Sequence, residues 1–120
     1  MIAYLTAPYA TYPDGRDKAF ATAASIAARL RLTGLDVYAP IEHYHPAAFH
    51  KGDAMSRAEW LVHDADMQVT CDALVICNMD GWESSKDVAL DTATFAAAGK
   101  PVFDLNIETL VMVKRRCAQQ

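Results

Sequence analysis

The sequence predicts an α/β domain built on a parallel sheet of four to five strands, with helices on both faces. Short apolar runs alternate along the chain with longer segments of helical periodicity, which is the pattern of strand–helix–strand units. The length of 120 residues is typical of one domain, so we assign residues 1–120 to one unit. A hydrophobic content of 52% excludes a disordered chain.

The local pattern of apolar and turn residues predicts each strand and helix. Apolar runs bounded by turn residues predict strands over residues 2–6, 36–39, 73–77 and 102–105. Helical periodicity predicts helices over residues 17–33, 56–70, 84–98 and 108–116, the first ended by Gly34. Residues 40–53 lack any period and carry His43 and His45, so they are expected to form a long surface loop. In such a parallel sheet, ligands bind beyond the carboxyl ends of the strands, here after Thr6, Ala39 and Cys77.

Charge and composition exclude several partners. The net charge is −4, and the longest basic cluster, residues 114–116, is expected to complement the dipole at a helix end. A nucleic-acid polymer is therefore not an expected partner. No apolar run is long enough to span a membrane and the start lacks a signal-peptide pattern, so we expect a cytoplasmic protein. Three cysteines without CxxC spacing, Cys71, Cys77 and Cys117, are typical of free thiols in a reducing compartment.

Two aspartates on helices are candidate catalytic groups. On a helical wheel of the second helix, the inward positions are Ala58, Leu61, Val62, Ala65 and Val69. An adjoining stripe consists of Trp60, Asp64, Met67 and Cys71. Asp64 then lies at the edge of the core, where desolvation raises the pKa of a carboxyl group. In the third helix the inward positions are Val88, Thr92, Phe95 and Ala96. Asp91 flanks them in a helix interior, where aspartate has poor propensity and needs a reason.

Structural explanations compete with these functional ones. An aspartate on a helix flank is usually a solvated charge, and Ser84 with Asp87 resembles a helix-capping box. Trp82, just before a helix, is typical of a packing residue. His43 and His45 could bind a metal, but no third ligand stands at a defined spacing, so no metal or other cofactor is expected. Composition and spacing alone predict a small α/β domain with an acidic cleft.

Sequence motifs carry the interpretation further. The opening IAYLTAPY (residues 2–9), the segment YAPIEH (38–43), and Asp64 followed by CDALV (71–75) stand in a fixed order. GWESS (81–85), Ala93 and GKPV (99–102) follow them. Together they resemble the nucleoside 2-deoxyribosyltransferase-like superfamily, which includes nucleoside 5′-monophosphate N-glycosidases. The resemblance implies a flavodoxin-like, Rossmann-like fold. Two positions depart from the family pattern, because Asp91 replaces its catalytic glutamate and Asp87 replaces a glycine.

The resemblance also implies roles for individual residues. Asp91 is the expected nucleophile that attacks the anomeric carbon, Tyr4 orients it, and Asp64 protonates or holds the nucleobase. Ser85 and the amides of its helix N-terminus are expected to hold a 5′-phosphate. The alternative is that the Asp87 carboxylate binds a 5′-hydroxyl group. The implied substrate-binding residues are Pro8, Tyr9, His43, His45, Gly81, Trp82, Ser84, Ser85 and Asp87.

The expected function is cleavage or transfer of the N-glycosidic bond of a nucleoside or its 5′-monophosphate, with no cofactor. The alternative is a nucleotide-binding module that keeps the fold and has lost the chemistry. A homodimer is also expected, because Leu90, Ala93 and Ala97 form a second apolar stripe on the third helix that one sheet cannot also cover.

Overall fold

A mostly parallel sheet of five strands organises the computed structural model, which describes residues 1–42 and 57–116. The strands are β1 (Ile2–Thr6), β2 (Asp36–Tyr38), β3 (Ala73–Cys77), β4 (Val102–Leu105) and β5 (Met112–Lys114). The α-helices of the described part are α1 (Arg16–Leu32), α2 (Arg57–Thr70) and α3 (Lys86–Ala97), and a short 3-10 helix spans Trp82–Ser84. The strand order is β2-β1-β3-β4-β5, with β1 to β4 mutually parallel and β5 antiparallel to β4. The predicted α/β class is confirmed.

One face of the sheet is covered by α1. Alternate residues of the central strands point to this side, including Ala3 and Leu5 of β1 and Val75 and Cys77 of β3. The helix meets them with buried residues at helical spacing, namely Ala19, Ala23, Ile26, Ala27 and Leu30. Small alanine side chains let the helix backbone lie close to the strands, so this face forms a dry apolar core.

The opposite face is covered by α2 and α3. Tyr4 of β1 and Leu74 and Ile76 of β3 point to it and pack with Cys71, Val88, Phe95 and Val102. Helices therefore lie on both faces, as predicted. Cys71 and Cys77 are buried free thiols, also as expected, and burial raises the pKa of Cys71 to about 11 and of Cys77 to about 12. Cys117 lies outside the described residues.

The predicted last helix, residues 108–116, is wrong, because the chain forms a hairpin there and returns as β5. The side chain of Asn106 accepts hydrogen bonds from the backbone amides of Glu108 and Thr109, at 2.9 and 3.0 Å. Such bonds also occur at helix N-caps, but here the backbone amide of Asn106 donates to the carbonyl of Val111 at 2.9 Å and closes a hairpin after one turn. Leu110 has a φ of 61°, which helical geometry excludes. Because β5 is antiparallel, a wholly parallel sheet was also a wrong expectation.

The basic cluster at residues 114–116 consequently ends a strand and not a helix. Arg115 donates two hydrogen bonds to the carboxylate of Asp104 in β4, at 2.7 and 2.8 Å. Its guanidinium carbon also stands 5.6 Å from the centre of the Trp82 ring. This bidentate pair fastens the edge strand to β4.

The inward face predicted for α2 is also wrong at its described positions, while the side chains of Ala58, Trp60 and Leu61 lie outside the described part of the chain. Val62 and Val69 are 64% and 80% exposed, and Ala65 is exposed as well. Asp64 is instead buried, with Met67 and Gln68 partly buried beside it. The helix thus turns polar side chains toward the sheet, and the apolar pattern that predicts a core face marks a surface.

Candidate functional site

A cavity of about 240 Å³ opens at the carboxyl end of β1, between α2 and α3. Its apolar wall includes Pro40 and Ile41, which follow β2, and Leu90 of α3. The polar groups that line it are Tyr4, Thr6, Asp64, Gln68, Asp87 and Asp91. The prediction that Asp91, Asp64 and Tyr4 meet at one cleft is confirmed.

Asp91 lines this cavity and is held by two hydrogen bonds. The Thr6 hydroxyl donates to Oδ2 at 2.7 Å, and the amide nitrogen of Gln68 donates to Oδ1 at 2.7 Å. Burial raises the pKa of Asp91 to about 7, with help from the negative charges of Asp87 and Asp64. The two hydrogen bonds oppose that rise because they stabilise the ionised carboxylate. Asp91 can therefore exchange a proton near neutral pH.

Asp64 is the second carboxyl group and is only 6% exposed. Burial raises its pKa to about 6, and the charge of Asp87 acts in the same direction. The Tyr38 hydroxyl donates to Oδ1 at 3.2 Å, which favours the ionised form. Two carboxyl groups that titrate between the usual aspartate range and neutrality share one cavity, which is the arrangement that acid–base and nucleophilic chemistry need.

The aromatic ring of Tyr4 lines the same cavity as these carboxyl groups. Its ring lies 5.5 Å from the centres of both Tyr38 and Phe95. Burial, followed by the charges of Asp91 and Asp64, raises its pKa, so Tyr4 stays a neutral phenol. Within the described residues, the side-chain hydrogen bonds to Asp91 come from Thr6 and Gln68 and not from Tyr4. Tyr4 is linked to this arrangement through a side-chain hydrogen bond with Gln68, and its role in orienting Asp91 stays a prediction.

The remaining predicted site residues divide into three groups. Tyr9 and the exposed Asp87 line the cavity. Pro8 is buried and, with Gly81, Trp82, Ser84 and Ser85, lies outside the cavity lining. His43 and His45 fall outside the described residues.

Ser85 has a structural task. It is the N-cap of α3, and its hydroxyl oxygen accepts from the amide of Val88 at 3.3 Å. The predicted capping role of Ser84 is therefore wrong, because Ser84 donates to the carbonyl of Gly81 at 3.3 Å and the helix begins two residues later. Gly81 has a φ of 91°, and an added Cβ would stand 2.4 Å from the carbonyl oxygen of Thr11. This position requires glycine because backbone packs against it.

Sequence reasoning missed Thr6 and Gln68. Thr6 is predicted only as the end of a strand, and Gln68 is not among the predicted site residues. A hydroxyl residue at the carboxyl end of β1 was the available signal. For Gln68 the signal was its spacing, since it follows Asp64 by one helical turn and so lies on the same side of α2.

Charge restricts what the cavity can hold. Asp64, Asp87 and Asp91 line it, and no lysine or arginine among the described residues does so. Three carboxyl groups without a cation disfavour an anionic ligand and suit hydroxyl groups and protonated nitrogens, which donate hydrogen bonds to carboxylates. In the same part of the chain, no group of three His, Cys, Asp or Glu side chains could hold a metal ion.

The fold and site define an α/β protein with an acidic cavity at the carboxyl end of its first strand. The chain belongs to the family described as Domain of unknown function (DUF1937), which matches residues 1–107. The match includes every residue named above as lining the cavity and ends just before the turn that leads to β5. No curated protein matches the chain. None of the described helices has the length and apolar character needed to cross a bilayer.

Proposed function

We propose that this protein cleaves or transfers the N-glycosidic bond of a nucleoside, with the Asp91 carboxylate as nucleophile. The observation that carries the proposal is a pair of carboxyl groups in one cavity, the buried Asp64 and the partly buried Asp91, whose pKa values are raised to about 6 and about 7. The motif resemblance to the nucleoside 2-deoxyribosyltransferase-like superfamily supports it. So does the strand order, which matches a flavodoxin-like sheet apart from the direction of β5.

The reaction needs one ionised and one protonated carboxyl group. The Asp91 oxygen forms a bond to the anomeric carbon as the bond to the nucleobase breaks, and Asp64 in its protonated form gives its proton to the departing base. This leaves the sugar as an ester of Asp91 and Asp64 as a carboxylate. Water or a second base then attacks the same carbon, gives a proton to Asp64, and releases the Asp91 carboxylate. Because the pKa of Asp91 (about 7) lies above that of Asp64 (about 6), the single proton of the half-ionised pair resides mainly on Asp91. The reaction therefore draws on the minor arrangement, in which Asp64 carries that proton, and this arrangement is most populated between about pH 6 and 7.

We favour a nucleoside over its 5′-monophosphate as substrate. The Ser85 hydroxyl already accepts from the amide of Val88 and lies outside the cavity lining, while Asp87 lines it. A phosphate beside Asp87 would meet a like charge, whereas a 5′-hydroxyl can donate a hydrogen bond to that carboxylate.

The test is to incubate the protein with ribo- and deoxynucleosides and with their 5′-monophosphates, and to measure free base by chromatography. We expect base release from nucleosides and little from monophosphates. Faster release from monophosphates would overturn the substrate preference while leaving the reaction class. Binding of nucleosides in calorimetry without any base release would favour the second candidate, a binding module. The observation behind that candidate is Asp91, which is one methylene shorter than the glutamate of the superfamily pattern.

A homodimer is a further part of the proposal. On α3, Leu90 is 62% exposed and Ala93 and Ala97 are exposed. On α2, Val62 and Val69 are exposed in the same way. A second copy would bury this apolar surface. Light scattering at micromolar concentration should give close to twice the chain mass of 13.2 kDa; a monomer there would refute the dimer.

A further inference from the structure

We infer that Thr6 and Gln68 act as a pair of positioning residues that hold the Asp91 carboxylate from two sides. We call these two donors and the carboxylate they hold the Asp91 clamp. Its catalytic purpose rests on the proposed function, but its effect on the pKa of Asp91 can be measured without an enzyme assay. Neither residue is among the site residues that the family resemblance implies, and the hydrogen bonds in the structure point to both.

The geometry of the clamp is specific. Thr6 and Gln68 each donate at 2.7 Å, and each serves a different oxygen of the same carboxylate. Two short donors on opposite oxygens fix both the position and the plane of the group. They come from different elements, β1 and α2, so neither element can shift without loosening a bond to Asp91.

Each donor is itself anchored. Thr6 pairs in register with Ile76 of β3, in the centre of the sheet. Gln68 lies in the last turn of α2, whose end is held by Lys100. The ammonium of Lys100 donates to the backbone carbonyls of Gln68, Val69 and Cys71 at 2.8, 2.8 and 2.7 Å. The segment that joins α3 to β4 therefore fixes the helix end that carries Gln68.

The clamp has a clear electrostatic consequence. Asp91 faces Asp64 from α2, Asp87 from its own helix and the phenol of Tyr4 from β1. Burial and both neighbouring carboxylates favour its protonated form, and a protonated carboxyl is a poor nucleophile. Among the charged and polar groups around it, the donors Thr6 and Gln68 favour the ionised form. Their removal should thus raise the pKa of Asp91.

The first experiment measures the titration of the Asp91 carboxyl carbon by NMR in the full chain. Thr6→Val and Gln68→Met remove one donor each at nearly constant volume. We expect each variant to raise the midpoint by about 0.5 pH units or more, since a hydrogen bond to the charged form lowers a carboxyl pKa. Thr6→Ser, which keeps the hydroxyl group, should restore the midpoint. The matched control is Thr70→Val, because Thr70 is exposed on α2 and its hydroxyl donates to the carbonyl of Asp66.

Unchanged midpoints in both variants, with native circular dichroism, would overturn the clamp even if the enzyme released base. A raised midpoint in a protein that releases no base would support the clamp and refute the proposed function, so the two failures are distinguishable. Where base release occurs, we expect kcat to fall about tenfold or more in each variant with little change in KM. Because Asp91 has the higher pKa of the two carboxyl groups, the basic limb of the pH profile should move upward with the NMR midpoint and the maximum rate should fall. A rise in KM alone would instead make Gln68 a substrate-binding residue.

Discussion

The two faces of the sheet are built on different principles. On the α1 side, the packing groups are apolar, and buried alanines bring the helix close to β1 and β3. On the α2 and α3 side, the same two strands meet Asp64, Gln68 and Asp91, together with the aromatic pair Tyr4 and Tyr38. Burial of carboxyl groups costs free energy unless they are hydrogen-bonded or neutral. The comparison therefore assigns stability mainly to the first face, and the proposed function places the chemistry on the second.

The largest expected effect comes from removing the carboxylate on the second face. Asp91→Asn should lower base release by about a thousandfold or more, because the covalent route needs the nucleophile. The fold should remain, since an amide oxygen can still accept from Thr6 or Gln68. Product chromatography and circular dichroism measure the two effects.

Asp66→Asn is the matched control for that variant, because Asp66 is exposed on α2 outside the cavity. It should keep the activity of the unaltered protein. Full activity in Asp91→Asn would show that Asp91 is not the nucleophile. It would also contradict the proposal that the second face of the sheet carries the chemistry.

On the first face, we expect a substitution in the core to lower stability without changing the pKa of either carboxyl group. Leu30 of α1 is 2% exposed, and Leu30→Ala should lower the free energy of unfolding by about 2 to 4 kcal/mol through lost burial and a residual cavity. Leu32, two residues on, is 88% exposed, so Leu32→Ala should change it by less than about 0.5 kcal/mol. Urea denaturation measures both. Equal losses in the two variants would contradict the placement of the core.

A smaller effect should appear in the pH dependence of stability. Because the pKa values of Asp64 and Asp91 are raised to about 6 and about 7, the folded protein binds these protons more tightly than the unfolded chain. Their contribution to stability is fully present below about pH 4 and is lost as the pH rises to about 7. Asp91→Asn should therefore gain about 1 to 2 kcal/mol over the unaltered protein at pH 8 and almost nothing at pH 4. A gain that is equal at both pH values would show that Asp91 titrates normally.

Sequence was a good guide where one physical rule acted alone. The strands β1, β3 and β4 have the predicted bounds because buried parallel strands are short apolar runs between turn residues. Periodicity failed for α2, since Val62 and Val69 mimic a core face while the buried side carries Asp64 and Gln68. It failed again after β4, where the Asn106 side chain caps a single turn and the Asn106 amide then bonds to the carbonyl of Val111, which closes a hairpin. Asp64 and Asp91 were found as candidates, but the bonds from Thr6 and Gln68 depend on tertiary placement.

The most direct test of the central claim is to trap the sugar on the protein. A nucleoside that carries fluorine at C2′ should slow both steps, because the electron-withdrawing group destabilises positive charge at the anomeric carbon. Mass spectrometry of the digested protein should then show one added sugar on the peptide that begins at Asp87, and fragmentation should place it on Asp91. Base release without any labelled peptide, or a sugar found on Asp64, would contradict Asp91 as the nucleophile.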